Sequence, residues 1–353
     1  MLMLKKTIAA LSLLSILAAC QNDENPSQPE PKPRQDINLT RAEQEFMDKS
    51  TDFAFRFFDQ VCSTEKEKPN VFVSPLSASL CLSMITNGAT DNTLAEMQNV
   101  LGFPANTFSL DDLNNYNQKL TSALLDLDNT TQLGIANSIW IEEGFKVYDS
   151  FVDVNKKMYD AQVQELDFTS PTAKDVINQW CATQTNNCIK EVIQEIPADA
   201  RMYLINALYF KGIWKSQFDK SATGQDKFTN VDGSQQKVAM MNQTATFNYT
   251  QTDDFSIAEL PYGNEAFSMV ILLPSGDKTL DESLPSLNYE NWKQWSKNMA
   301  GKELQIKLPR FKVEYDKELE EDMIAMGMKD AFDAYKAKFA NMSGAELYIG
   351  LLQ

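Results

Sequence analysis

The sequence contains no histidine and only five cysteines among its 353 residues. Ser-His-Asp triads, Cys-His pairs and HExxH zinc sites all need an imidazole that titrates near neutral pH, so these catalytic classes are excluded. Cationic residues are also few, since 32 Lys and Arg stand against 49 Asp and Glu and give a net charge of −17. Nucleic-acid binding needs clustered Lys and Arg, and we therefore expect no nucleic-acid partner.

The cysteines give no sign of a metal site or of a disulfide scaffold. Beyond the first twenty residues they are Cys62, Cys81, Cys181 and Cys188, and none belongs to a CxxC pair. Without histidine they do not complete a zinc site, so we expect no metal and no cofactor. A chain of this length buries enough apolar surface to fold stably without disulfide bonds. Cys181 and Cys188 could pair only if a helix ends between them.

The first nineteen residues have the layout of an export signal. Lys5 and Lys6 precede an apolar run over 8–19 that is too short for a permanent membrane span. The four residues 17–20, Leu-Ala-Ala-Cys, resemble a bacterial lipobox, which implies cleavage before Cys20 and lipid on its sulfur. The alternative is an ordinary signal peptide with a chance cysteine. We expect an exported lipoprotein of the outer membrane or cell surface, which contacts the membrane through Cys20.

Residues 20–45 are predicted to form a polar tether between this anchor and a folded domain over 46–353. Prolines recur at Pro26, Pro29, Pro31 and Pro33, among Gln, Asn and acidic residues. Such a segment has no apolar face to bury, and we expect it to be extended and solvated.

Helix signals dominate the first half of the folded part. Thr40 followed by Glu43 is a capping box that predicts a helix start, and Thr93 followed by Glu96 predicts a second one. Ser74 before Pro75 is typical of an N-cap and a first helical position. We also predict a buried Cys81 within that helix.

Strand signals dominate the second half. Apolar runs over 203–210 and 267–273 predict strands buried on both faces, whereas 304–308 and 311–315 alternate as half-exposed strands do. A short strand is also predicted over 71–73. No Gly-rich spacer separates the halves, so we predict one domain of α+β class.

Several segments resemble segments of the serpin family of serine and cysteine protease inhibitors, and they occur along the chain in the family's order. The longest resemblance is at 204–214, with the sequence Leu-Ile-Asn-Ala-Leu-Tyr-Phe-Lys-Gly-Ile-Trp, and another is Asn-Val-Phe-Val-Ser-Pro-Leu-Ser at 70–77. Further matching segments lie at 88–93, 178–189, 259–262, 269–274, 308–312 and 339–343. The resemblance implies helices packed on a large, mostly antiparallel central sheet, with further smaller sheets.

The resemblance implies an inhibitor rather than an enzyme. A target protease cleaves an exposed reactive loop and remains acylated, and the loop then inserts into the central sheet as a strand. By motif, Ser74, Ser77 and Asn206 form the shutter that parts to admit this strand, and Trp214 lies at the breach where insertion begins. The expected inhibitor is a monomer that forms a covalent complex with its protease.

Each of these residues also has an ordinary structural interpretation. Ser74 is explained as an N-cap and Ser77 as a first-turn residue. Asn206 is also consistent with an amide whose partners are backbone groups, and Trp214 with a plain core residue.

The sequence departs from the family pattern at its carboxyl end. The hinge, the reactive loop with its scissile bond and the final strands would all follow Gln353, and the family's buried histidine falls near that residue. We therefore expect either a fragment or a truncated product that cannot inhibit by itself. The alternatives for a full-length form are an inhibitor and a non-inhibitory serpin-fold surface lipoprotein that binds a ligand or partner.

Overall fold

The protein is described by a computed structural model over residues 30–230 and 233–353, so the signal segment 1–19 and Cys20 lie outside the described residues. Its first half is mainly helical, as predicted. The helices before the first long strand are α1 (Arg41–Thr64), α2 (Pro75–Thr86), α3 (Asp91–Leu101) and α4 (Leu110–Asp126). Later helices are α5 (Asp149–Tyr159), α6 (Ala173–Gln184), α7 (Leu280–Ser283), α8 (Tyr289–Lys297) and α9 (Glu320–Met326). No helix in the described residues is long and apolar enough to cross a membrane.

Local capping chemistry sets the starts of the first two helices. At α1 the Thr40 hydroxyl accepts a hydrogen bond from Glu43 N–H, and the Glu43 carboxylate accepts one from Thr40 N–H. At α2 the Ser74 hydroxyl accepts from Ser77 N–H, with Pro75 at the first helical position. Both predictions are confirmed. Because α1 begins at Arg41, helical structure starts inside the range 20–45 that we assign to the tether.

The capping box predicted at Thr93 is wrong, because α3 begins two residues earlier at Asp91. Thr93 is buried within the helix, and its hydroxyl accepts a hydrogen bond from Lys338 N–H at 3.0 Å. The Glu96 carboxylate accepts from the backbone N–H groups of Lys329 and Asp330 at 2.7 Å each. Both side chains therefore bind a distant part of the chain instead of capping their own helix.

Two sheets carry the strands of residues 30–230 and 233–353. The first contains β1 (Gln132–Glu142), β2 (Gln162–Leu166) and β3 (Met202–Lys211) in the order β2-β1-β3. β1 runs parallel to β2 and antiparallel to β3. The second sheet is antiparallel and contains β4 (Gly224–Thr229), β5 (Gln235–Gln251), β6 (Phe255–Pro261), β7 (Ser268–Pro274) and β8 (Ala300–Pro309). Its order is β4-β5-β6-β7, with β8 also paired to β5.

Three strand predictions are confirmed and two are wrong. The runs at 203–210, 267–273 and 304–308 correspond to β3, β7 and β8. The prediction that 267–273 is buried on both faces is wrong, because no residue of β7 is fully buried and Leu273 is 64% exposed. Residues 71–73 and 311–315 are not strands. Backbone bonds near the latter segment join Arg310 N–H to Ala239 O and Leu319 N–H to Leu352 O, with no ladder between them among the described residues. Alternation alone does not make a strand when no neighbouring backbone pairs with it.

Apolar side chains lie on both faces of the three-stranded sheet. Ile205 and Ala207 of β3 pack with Trp140 and with Ile177 of α6 in the smaller cluster. Leu204 faces the opposite side, where the large core gathers α1, α2 and α3. The α+β class is confirmed, although the sheet beneath α2 has three strands in the described residues, fewer than the resemblance implies.

Candidate functional site

Asn206 lies at the middle of β3, where α2 crosses the sheet. The Ser77 hydroxyl in the first turn of α2 donates a hydrogen bond to the Asn206 Oδ1 at 2.5 Å. One turn further along α2, the Cys81 thiol lies 3.5 Å from the carbonyl oxygen of Leu204. The helix is thus joined to β3 by polar contacts at two successive turns, in addition to apolar packing.

Asn137 of β1 holds the other side of the Asn206 amide. The two asparagines are directly opposite in the antiparallel register, and Asn206 Nδ2 donates to Asn137 Oδ1 at 2.8 Å. Asn137 is 4% exposed, and its own Nδ2 donates to the carbonyl oxygen of Tyr159 at 2.7 Å. Asn206 therefore links α2, β3 and β1 through side-chain hydrogen bonds. The partners of its amide are the side chains of Ser77 and Asn137, whereas the ordinary interpretation expects backbone groups.

The network continues beneath the sheet into α4. The Tyr159 hydroxyl donates to Asn114 Oδ1 at 2.7 Å, and Asn114 Nδ2 donates to Asn87 Oδ1 at 2.8 Å. Burial raises the pKa of Tyr159 well above its usual value, so this phenol remains a neutral donor at neutral pH. A series of buried and part-buried hydrogen bonds, linked through the backbone and hydroxyl of Tyr159, therefore connects the start of α2 to α4 by way of both long strands.

Ser74 is linked to Asn206 through Ser77. Its hydroxyl caps α2 by accepting from Ser77 N–H at 3.3 Å, as expected of an N-cap. It thereby fixes the helical turn from which Ser77 reaches Asn206. Of the three residues that the motif assigns to the shutter, the structure brings Ser77 and Asn206 into direct contact, and Ser74 supports Ser77.

Trp214 lies just beyond the end of β3 and is half-buried. Its indole stacks on the ring of Tyr262, with centroids 4.3 Å apart and an interplanar angle of 15°, and meets Phe218 edge-on. Backbone hydrogen bonds from Lys215 N–H to Pro261 O and from Gly263 N–H to Ile213 O flank the stack. Trp214 therefore joins the exit of β3 to the turn between β6 and β7.

The turn between β6 and β7 is held by the segment that follows α4. Asp128 Oδ2 lies 3.4 Å from the backbone N–H of Asn264, and Asn264 Nδ2 donates to Leu127 O at 2.8 Å. Asp128 also accepts hydrogen bonds from the N–H and hydroxyl of Thr130 and from the hydroxyl of Thr131. A single carboxylate thus organises both its own turn and the turn that carries Tyr262.

The stability contributed by Asp128 is expected to depend on pH. Burial opposes ionisation, but hydrogen bonds from Thr130, Thr131 and Asn264 outweigh it and lower the pKa of this carboxyl. Its contribution is present above the ordinary Asp pKa and is lost as pH falls through the lowered value. The difference in unfolding free energy between wild type and Asp128→Asn should be constant above about pH 5 and shrink below about pH 4. Urea titrations across this range measure it, and a difference that grows in acid would contradict it.

Replacing Asn206 by alanine is expected to lower the free energy of unfolding by about 1–3 kcal/mol, because Ser77 and the buried Asn137 lose their partner. In a full-length product, latent and polymeric forms should also increase. Urea unfolding and native gels measure these effects, with Asn106→Ala as a control, since Asn106 is exposed and the hydrogen bond that its side chain accepts comes from its neighbour Thr107. Unchanged stability in Asn206→Ala would show that the network does not hold the sheet.

Asn137, Tyr159 and Tyr262 were missed by sequence reasoning. Asn137 had one detectable signal, as a lone amide within the apolar run of β1. Gln353, near which the family's buried histidine falls, donates its amide hydrogen bond to Asp316 and not to Asn206. Cys181 and Cys188 are unpaired although α6 ends between them, at Gln184. No cluster of acidic or Cys side chains in the described ranges could hold a metal ion.

Comparisons with known proteins agree with this architecture. The family model described as Serpin (serine protease inhibitor) matches residues 48–352. An uncharacterised serpin-like protein of Methanosarcina acetivorans is 33% identical over 304 residues, which are 84% of this chain and 70% of that protein. Serpin B3 of Homo sapiens is 31% identical over 316 residues, covering 84% and 80% of the two chains.

Solved structures of the thermophilic serpin tengpin superimpose on the chain in two states. The latent form has a TM-score of 0.80 at 31% identity, covering 90% of this chain and 84% of tengpin. The native form has a TM-score of 0.79 at 29% identity, covering 92% and 81%. The fold, the order of the matched segments and these relatives together show that the chain belongs to the serpin family, whose members are generally protease inhibitors rather than enzymes.

Proposed function

We propose that this protein, in a full-length form that carries a reactive loop, inhibits serine or cysteine endopeptidases by loop cleavage and insertion. The nucleophile of the protease attacks the scissile peptide bond, the new amino terminus leaves, and the acyl group stays on the protease. The loop then adds to the three-stranded sheet as a strand. The observation that carries this proposal is the contact of Ser77 with Asn206, which joins α2 to β3 where the resemblance places the shutter.

β3 pairs with β1 along one edge only, and along its other edge the described residues form no ladder with it. In a full-length form, parting of the sheet at this edge would expose unpaired N–H and C=O groups of β3 as a template for the loop. Backbone groups of the segment 345–353 pair elsewhere, since Ile349 N–H donates to Ala331 O and Leu352 O accepts from Leu319 N–H. Asn206 lies at the middle of β3 and Trp214 just beyond its end, where they would control how easily this edge accepts a strand.

The test uses the full-length gene product with a panel of serine and cysteine endopeptidases. We expect a denaturant-resistant band whose mass is the sum of protease and cleaved inhibitor. A protease whose nucleophile has been replaced by alanine is the control and should give no such band. Cleavage of the loop without any complex would contradict inhibition and favour the non-inhibitory surface lipoprotein.

We further propose that the protein is exported and anchored to the outer membrane or cell surface through lipid on Cys20. The support is the order of charged, apolar and lipobox segments in the sequence. Cys20→Ala is expected to move the protein from the membrane fraction to the soluble fraction, whereas Cys188→Ala, an exposed cysteine of the folded body, should not. Membrane fractionation of Cys20→Ala that matches wild type would contradict the anchor.

A further inference from the structure

The described part of the amino-terminal arm contacts the folded body mainly through one asparagine. Asn129, in the turn after α4, accepts a hydrogen bond from Lys32 N–H at 2.8 Å through its Oδ1, and its Nδ2 donates to Glu30 O at 2.9 Å. The amide thus pairs with the arm as the backbone of a neighbouring strand would. Lys32 Nζ also donates to Asp126 Oδ1 at 2.5 Å. These contacts define a docking corner at residues 126–129.

The arm sequence suits this contact. Pro31 and Pro33 flank Lys32, and proline has no backbone N–H, so Lys32 supplies the one backbone donor of residues 31–33. Proline on both sides also holds the segment extended before it docks, which lowers the entropy lost on docking. The Lys32–Asp126 pair is largely exposed, with 45% and 80% of the two side chains accessible, so it contributes little. The Asn129 amide is the main contact.

A short series of hydrogen bonds and packing contacts connects the docking corner to Trp214. Asp128, next to Asn129, holds the turn between β6 and β7 through the N–H of Asn264. In that turn, Gly263 packs so closely on the side chains of Asp128 and Thr130 that a Cβ there would clash with both. Gly263 N–H bonds the backbone next to Trp214, whose indole stacks on Tyr262.

We propose that residues 30–33 act as a strap that, when docked at 126–129, restrains the turn carrying Tyr262 and so stabilises the Trp214 end of the sheet. The docking itself is independent of what the protein inhibits. Its consequence, a brake on opening of the sheet at β3, rests on the proposed function. Because the strap is part of the segment that would lead to a lipid on Cys20, the contact would link the tether to the site of sheet opening.

Hydrogen exchange of the full chain tests the docking and its link to the turn. In wild type the Lys32 amide should be protected, and Asn129→Ala should speed its exchange about tenfold, as expected for one or two exposed hydrogen bonds. The same variant should also speed exchange over 262–267. Arg34→Ala is the matched control, because Arg34 is another cation of the arm and its ion-pair partner, Asp36, lies in the arm itself.

The outcomes separate the two parts of the proposal. An unprotected Lys32 amide in wild type would overturn the docking. Faster exchange at Lys32 with unchanged exchange over 262–267 would overturn the restraint on the turn. In the full-length product, Asn129→Ala should convert to latent or polymeric forms faster than Arg34→Ala does, and equal rates would overturn the brake. If the full-length product forms no complex with any protease, the proposed function fails while the exchange results still decide the strap.

Discussion

Replacing Asp322 by alanine is expected to lower the free energy of unfolding by about 3–5 kcal/mol, because it leaves a buried charge without one of its partners. The Asp322 side chain is fully buried at the start of α9 and lies 3.3 Å from Lys317 Nζ. It also accepts hydrogen bonds from the Thr64 hydroxyl at 2.8 Å and from Gln60 Nε2 at 3.3 Å. The carboxylate thus joins the end of α1 to the segment before α9.

Asp322→Ala removes one of the two carboxylates that pair with the Lys317 ammonium. The Lys317 side chain is 13% exposed, and burial alone would lower its pKa, but the carboxylates of Glu65 and Asp322 outweigh burial and raise it. The stabilisation from this ammonium is present below the ordinary Lys pKa and is lost only as pH rises through the raised value, so it is complete at pH 7. With Asp322 removed, Glu65 remains as its one acidic partner in this cluster.

Urea unfolding at pH 7 measures the effect. Glu321→Ala is the matched control, because Glu321 is the preceding acid on the same helix and is exposed. Its substitution should change stability by less than about 0.5 kcal/mol. The triple variant Glu65→Gln/Lys317→Met/Asp322→Leu should recover much of the loss, since it leaves no unpaired charge in the cluster and well-packed apolar side chains often replace a buried ion pair without cost. A loss in Asp322→Ala no larger than in Glu321→Ala would contradict this description of the cluster.

The second large effect is expected for Gly263→Ala, at about 3 kcal/mol from left-handed strain and steric overlap together. Gly263 has a φ of +39°, a region that side-chain-bearing residues adopt at a cost. A Cβ at this position would overlap the Asp128 carboxylate and the Thr130 hydroxyl, which are fixed by hydrogen bonds to each other. The turn must therefore move, and the Trp214–Tyr262 stack moves with it.

Gly144→Ala separates strain from overlap. Gly144 has a φ of +80°, but nothing lies within 4 Å of a Cβ built there. It should cost about 1–2 kcal/mol from backbone strain alone. Thermal and urea unfolding of both variants give the difference, and near-ultraviolet circular dichroism reports the indole environment. Equal losses in the two variants would show that the 126–131 segment does not hold the turn.

What could be predicted from the sequence was local. The capping box at Thr40 and the Ser74-Pro75 pair predicted helix starts because their partners lie three residues away. The same reasoning failed at Thr93 and Glu96, whose side chains bind backbone groups more than two hundred residues further along the chain. A local pattern does not reveal that a distant segment competes for the same polar groups.

The candidate site shows the same division. Ser77 and Asn206 were predicted from the family resemblance, and the structure brings them into contact. Asn137 became visible only through the antiparallel register of β1 and β3, which places it opposite Asn206. The docking of Lys32 on Asn129 joins residues 97 apart, so composition suggested only a solvated tether there.

The claim that the sheet accepts an added strand is tested most directly by the melting temperature of the full-length protein before and after its reactive loop is cleaved. Insertion should raise the melting temperature by more than about 10 °C, since 1 kcal/mol shifts the melting temperature of a domain of this size by roughly 2 °C. Circular dichroism on intact and cleaved protein gives both values in one experiment. A melting temperature that is unchanged or lower after complete cleavage would contradict insertion.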